Sequence, residues 1–174
     1  MDIFDKYATI EERHRALLGI GGDPFGVKVD RILSATEALI EGRHTILVGT
    51  NNYLGLTFQP ECVAAAREAL ETDGTGTTGS RIANGTYDRH TRLEAAFARF
   101  FDRRKAIVFT TGYQANLATI CALAGPDDLI LADADSHASI WDGTRLSPAE
   151  THTFRHNDPD NLDRKLTRLK DKGQ

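Results

Sequence analysis

A lone histidine, His137, stands between two serines in DADSHASIWDG, directly after an apolar run. An imidazole in such a place can form part of a cofactor site or serve as a hydrogen-bonded structural residue, with Ser136 as a simple N-cap for the helix that follows. A second place of interest is TTGYQAN (110–116), where Gly112 opens a helix at the end of another apolar run. The first amides of a helix have no intrahelical partner and lie at the positive end of its dipole, so Gly112 and its neighbour can cradle a phosphate. The alternative reading is an ordinary turn that needs glycine for its conformation. If both runs are parallel strands, the two places share one sheet edge, where ligands of α/β proteins bind, and together they resemble a cofactor site.

The elements that must position these residues follow from the hydrophobic pattern. Residues 3–18 read as an amphipathic helix stopped by GIGGDPFG (19–26). Residues 36–50 read as a hairpin of two apolar runs around a polar EGRH turn, and NNYLGL (51–56) as a loop. A helix is expected over 60–72, with Pro60 at its start and Val63, Ala66 and Leu70 on one face. Another runs from Asp88 to Phe101, where Leu93, Ala96, Phe97 and Phe100 recur at helical spacing. The period then alternates between strand runs at 105–110, 128–133 and 150–156 and helices at 112–124, 136–146 and 161–170. Strands separated by helices of this length predict crossovers in a parallel sheet, so the fold class is α/β.

Composition narrows the function classes. With 174 residues, 40% of them apolar, and a net charge of −4 from interspersed charges, the chain reads as a folded domain or a large part of one, with no nucleic-acid surface. The basic stretch ARFFDRRK (98–105) reads as a solvated helix end. Cys62 and Cys121 fall in different helices without ligand spacing, which suggests reduced core thiols in a cytoplasmic protein, and no metal site is expected. No apolar stretch approaches the ~20 residues of a membrane helix, and the charged N-terminus argues against export. The NGT at 84–86 fits a glycosylation sequon by coincidence in such a chain. GTGTTG (74–79) matches the dinucleotide fingerprint, but it follows a helix instead of a strand and opens no apolar helix. It reads instead as part of a long functional or partner-contacting Gly/Thr loop.

The series NNYLGL, GTGTTGSRIANGTYDRH, TTGYQAN and DADSHASIWDG resembles the α-oxoamine synthases, pyridoxal-phosphate enzymes of the aspartate-aminotransferase fold, over about residues 23–170. TEALIEGRHTILVGTNNYLGLTF, GSRIANGT and FRHNDPDNLDRKL are most similar to the bacterial branch that palmitoylates serine. The resemblance implies a fold type I parallel-sheet domain, with residues 1–57 as an N-terminal helix and hairpin segment and 58–174 as the N-terminal part of the large cofactor-binding domain. It implies condensation of L-serine with a long-chain acyl thioester, delivered on coenzyme A or an acyl carrier protein, with loss of carbon dioxide. Pyridoxal 5'-phosphate is the implied cofactor, with Gly112 and Tyr113 on its phosphate. His137 is the implied catalytic residue, stacked on the ring and touching the amino-acid carboxylate. Asn51 and Tyr53 are implied at the amino-acid end, Ser80 and Asn84 on the acyl side, and the Gly/Thr loop in a homodimer with a shared active site. Asn51 stands where serine-using members often carry tyrosine, and NNYLGL also suits the glycine-using 2-amino-3-ketobutyrate ligases, with 8-amino-7-oxononanoate synthases as a further alternative. Lys6, Lys28, Lys105, Lys165, Lys170 and Lys172 all lie outside the family's Schiff-base lysine motif. The chain therefore reads as an N-terminal portion, inactive alone, or as a non-catalytic dimerising relative.

Overall fold

Proline and glycine punctuate the chain where the computed structural model turns, and the model describes residues 2–21, 23 and 26–170. Of the expected helix stop, Gly22, Pro24 and Phe25 lie outside the described residues, as does the terminal stretch 171–174, Lys172 included. The chain forms two compact units, Met1–Thr77 and Thr78–Gln174.

In the first unit a 3-10 turn, Asp5–Tyr7, leads into α1 (Ala8–Leu18). The expected hairpin is present as β2 (Glu37–Ile40) and β3 (Arg43–Ile46), antiparallel, with Ile40 opposite Arg43. Its turn is tighter than EGRH suggested. Glu41 and Gly42 take φ of 49° and 75°, the paired positive values that match the twist of two-residue hairpins. A third strand, β1 (Val29–Ile32), escaped the sequence reading because it is exposed along its length, without the alternation that marks a half-buried strand. It pairs antiparallel with β2, and Asp30 accepts a hydrogen bond from the Gly42 amide at 2.9 Å, tying the turn to the added strand. A 3-10 turn, Leu56–Phe58, then leads to α2 (Pro60–Asp73), with Pro60 in its first turn as expected. Its expected apolar face is uncovered: Val63 and Leu70 are 42% and 56% exposed. Cys62 is exposed as well, which corrects its assignment as a core thiol.

The second unit begins with a tight loop. A Cβ on Gly79 would meet Asn84 Oδ1 at 2.0 Å, and one on Gly85 would meet the Gly79 carbonyl at 1.9 Å, so both positions require glycine. Arg81 holds this loop through Thr86 and reaches Glu94 at 2.8 Å on α3 (Asp88–Phe100). Glu94 also accepts the Val108 amide at 3.1 Å. That amide, with Arg81 behind it, holds the Glu94 carboxyl below its ordinary range.

The run 105–110, expected as a strand, is not one. A strand needs a hydrogen-bonded neighbour, and the described residues pair none with it. Side chains do part of that work: Glu94 takes the Val108 N–H, while Arg81 donates to the Val108 carbonyl at 3.5 Å.

The remaining elements follow the predicted alternation: α4 (Gly112–Leu123), β4 (Leu129–Asp133), α5 (Ala138–Leu146), β5 (Glu150–Phe154) and α6 (Pro159–Leu169). β4 and β5 are parallel, in register from Leu129 opposite Glu150 to Asp133 opposite Phe154. With α5 between them they form a βαβ unit, the expected α/β arrangement. α5 and its C-cap residue present a stripe of small buried residues, Ser139, Gly143 and Ser147. Gly143 packs against α4 so closely that an added Cβ would lie 2.9 Å from Ile120 Cδ1, 3.1 Å from Ile120 Cβ and 3.4 Å from Leu117 Cα.

Two effects oppose each other at Gly143. Alanine is about 1 kcal/mol better than glycine inside a helix, whereas overpacking a tight contact costs about 1–3 kcal/mol. The shortest approach is to a movable methyl, but the other two are to Cβ and main chain, so the clash wins. Gly143→Ala is expected to lower the thermal midpoint, and a midpoint raised by the substitution would show that the seam has slack.

Candidate functional site

The N-termini of α4 and α5 form the candidate site. Thr111 caps α4 by accepting the Gln114 amide at 3.1 Å. Among the described residues nothing takes the amides of Gly112 and Tyr113, which leaves two donors at the positive end of the helix. Gly112 does not take a positive φ, so no turn conformation demands glycine there, and the space where its Cβ would lie is open to 4 Å. These observations set aside the reading of Gly112 as a residue needed for the turn. What they leave is a bare N–H pair with room for an anion to approach.

His137 stands at the start of α5, and its ring meets that of Tyr113 edge-on, with centroids 6.2 Å apart and planes at 75°. His137 itself, not Ser136, is the N-cap: its Nδ1 accepts the Ser139 amide at 3.1 Å. Ser136 instead donates its amide to the Asp133 carbonyl at 3.0 Å, in the turn that precedes the helix. The Tyr113 hydroxyl donates to Asp142 on α5, and Arg145 braces Asp142 at 3.0 Å. Hydrogen bonding to Asp142 raises the Tyr113 pKa, and the same bond, followed by Arg145, lowers that of Asp142. Asp133, at the end of β4, gathers the turns beyond both strands. It accepts from the amides of Asp135 (2.8 Å) and Asn157 (3.2 Å) and pairs with His156 Nδ1 at 2.9 Å.

The structure thus brings Gly112, Tyr113 and His137 together. Ser80 and Asn84 share the loop closed on Gly79 and Gly85, where Ser80 O accepts the Gly85 amide at 2.8 Å. In the other unit the Tyr53 hydroxyl donates to Asn51 Oδ1 at 3.2 Å, and Tyr53 is 85% exposed. Asn52 fixes that loop by donating to the Ala35 carbonyl (3.3 Å) and to Thr57 (2.9 Å). Sequence reasoning missed Thr111, Asn116, Ser139 and Asp142. A threonine just before a helical glycine was a readable cap signal; the others become visible only once α4 and α5 lie side by side.

Comparison with known proteins identifies the family. Residues 43–174 match the family of class I and II aminotransferases. The chain is similar to a serine palmitoyltransferase of Caulobacter vibrioides, 52% identical over 171 residues, which is 98% of this chain and 42% of that protein. It is also similar to a putative 8-amino-7-oxononanoate synthase of Mycobacterium tuberculosis, 48% identical over 123 residues, 71% of this chain and 16% of that one. A solved serine palmitoyltransferase from S. paucimobilis, with bound PLP-myriocin aldimine, superposes with a TM-score of 0.92 at 46% identity, covering 97% of this chain and 43% of that one. The fold is therefore that of the N-terminal part of this enzyme class, and the chain spans about two fifths of the length of these palmitoyltransferases.

The Asp133–His156 pair sets a pH dependence. The Asp135 amide, followed by His156, lowers the Asp133 pKa; Asp133 raises that of His156 above 6.5. A lowered carboxylate contributes stability above its ordinary value of 3.8, lost as pH falls through its folded value. A raised histidine contributes below 6.5, lost as pH rises through its folded value. The stability difference between the parent and His156→Ala is thus expected to be fullest between these limits and to shrink on either side. Denaturant melts across pH check this, and a difference that stays level above neutrality would rule the pair out.

Proposed function

Because the chain belongs to the family of class I and II aminotransferases, we propose that it supplies the N-terminal part of a pyridoxal-phosphate-dependent acyltransferase that condenses L-serine with a long-chain acyl thioester. The observation that carries this reading is the unclaimed N–H pair of Gly112 and Tyr113 at the start of α4, together with the contact of the Tyr113 ring with that of His137. It fits the cofactor's two demands, a fixed anion site and a flat surface. When bound, pyridoxal phosphate supplies an electron sink for charge developing at the amino-acid α-carbon. The Gly112 and Tyr113 amides hold the phosphate. The face of His137 packs on the ring, and its outward nitrogen donates to the substrate carboxylate, so that the bond to be broken is presented in one orientation. Asn51 and Tyr53 act at the amino-acid end, Ser80 and Asn84 on the acyl side. Residues 1–57 serve as an N-terminal segment, 58–174 as the first part of the large domain, and the protein works in the cytoplasm. No helix of the described residues is long and apolar enough to cross a membrane.

A homodimer fits the surface. Large apolar side chains stand exposed, among them Val63, Leu70, Phe97 and Phe100. Light scattering is expected to show self-association, and a monodisperse monomer at high concentration would count against it.

The function is tested by joining the chain to the C-terminal remainder of the S. paucimobilis enzyme. The chimera is expected to condense L-serine with palmitoyl thioester, and the 174-residue chain alone to condense nothing. Preference for glycine or L-alanine would move the chain to another branch. Gly112→Asp provides the internal control, because a carboxylate in the first turn favours the helix yet repels a phosphate. At about 5 Å in water that repulsion is worth upwards of 1 kcal/mol, so pyridoxal phosphate affinity should fall about tenfold while that of unphosphorylated pyridoxal stays unchanged. Equal losses for both ligands would sink the assignment of the phosphate site.

A further inference from the structure

Serine, threonine, aspartate and asparagine are the usual N-caps; α5 uses a histidine although Asp135 and Ser136 lie just before it. The imidazole differs from those side chains in having a second nitrogen, and the surroundings of the first decide what the second does. His137 Nδ1 faces two groups of Ser139, the amide at 3.1 Å and the hydroxyl at 2.8 Å. Ser139 is 0% exposed, so its hydroxyl must find its partners within the protein. Asn116 on α4 donates its Nδ2 to that hydroxyl at 3.0 Å. An amide nitrogen only donates, so it occupies a lone pair of Ser139 Oγ and leaves the hydroxyl proton to point at Nδ1. Nδ1 then accepts twice, and the neutral ring carries its proton on Nε2, on the side away from Ser139.

We propose that Ser139, backed by Asn116, is a positioning residue that holds His137 in the Nε2–H form and fixes the direction of its outward donor. The effect acts entirely through His137: neither Ser139 nor Asn116 needs to touch a ligand. The relay runs one way, from the Asn116 amide through the Ser139 hydroxyl to the imidazole. Its value for the reaction rests on the function proposed above, in which an anionic carboxylate needs a donor. The state of the ring does not depend on that function.

The test is made on the 174-residue chain labelled with ¹⁵N-histidine, in which long-range ¹H–¹⁵N correlations distinguish a protonated ring nitrogen from one with a lone pair. The parent is expected to show His137 as Nε2–H. Ser139→Ala removes the hydroxyl donor but keeps the amide, so the ratio of Nε2–H to Nδ1–H should fall about fivefold, the worth of one ordinary hydrogen bond. Asn116→Asp retains shape at an exposed position but can only accept, so it draws the hydroxyl proton away from Nδ1 and should move the ratio in the same direction. This second variant decides the matter if Ser139→Ala does not fold. An unchanged ratio in a folded variant overturns the proposal, as does a parent chain with the proton on Nδ1. A shifted ratio, together with a chimera that binds no pyridoxal phosphate, upholds it and counts against the proposed function instead.

Discussion

The close approach of α5 to α4 at Gly143 is the constraint on which the candidate site depends. Without a side chain at Gly143, the two helices come near enough for short polar groups to bridge them. Asn116 then reaches Ser139, Cys121 Sγ lies 3.6 Å from the Gly143 carbonyl, and Ser147 Oγ donates to the Ala124 carbonyl at 2.8 Å. These ties run the length of the stripe of small residues and set the two helix N-termini side by side. A side chain at Gly143 would press on Ile120 Cδ1 at 2.9 Å and Ile120 Cβ at 3.1 Å and so strain these ties. The edge contact of Tyr113 with His137 is therefore a product of glycine and serine further along the helix, not of the aromatic pair alone.

Elsewhere the chain carries apolar surface that it does not bury. Ala38, Ala132, Ala149 and Leu169 are the buried hydrophobic residues among those described, too few for the core that this many apolar residues can make. The segment 105–110 shows the same condition in its backbone. Ile107 is 74% exposed, and the peptide groups of Val108 are held by Glu94 and Arg81 instead of by a strand. That clamp also fastens the loop carrying Ser80 and Asn84 to the segment that leads into Gly112. One arginine and one glutamate thus set the relation between the proposed acyl-side residues and the proposed phosphate cradle.

What the sequence made legible was local. Pro60, Asp88, Gly112 and the apolar runs of β4 and β5 marked their elements to within two residues, because propensity and period act over a few positions. Pairing was less readable, because it depends on distant chain. Residues 105–110 have the composition of a buried strand and form none, whereas Val29–Ile32 have no such pattern and pair along β2. At the site, Gly112 and His137 stood out by type and place, and family resemblance supplied their proposed roles and that of Tyr113. Asn116 and Ser139 could not be read in this way, since their meaning lies in a contact between two helices. Arg81 and Glu94 looked like ordinary surface charges for the same reason.

The two aromatic side chains of the site are both governed from α5. His137 is turned by its own helix, through the Ser139 amide and hydroxyl, while Tyr113 leaves α4 and is caught by Asp142, itself braced by Arg145. Tyr113 therefore belongs to α4 by its backbone and to α5 by its hydroxyl. The free amides, by contrast, belong to α4 alone. A displacement of α5 would carry the ring-facing groups with it and leave the anion cradle behind, so the two halves of the proposed cofactor site stay in register only while the Gly143 seam is closed. A histidine cap suits this arrangement better than serine or aspartate. Those would end the helix equally well, but they would spend their polar atoms on its first turn and leave no donor for the far side.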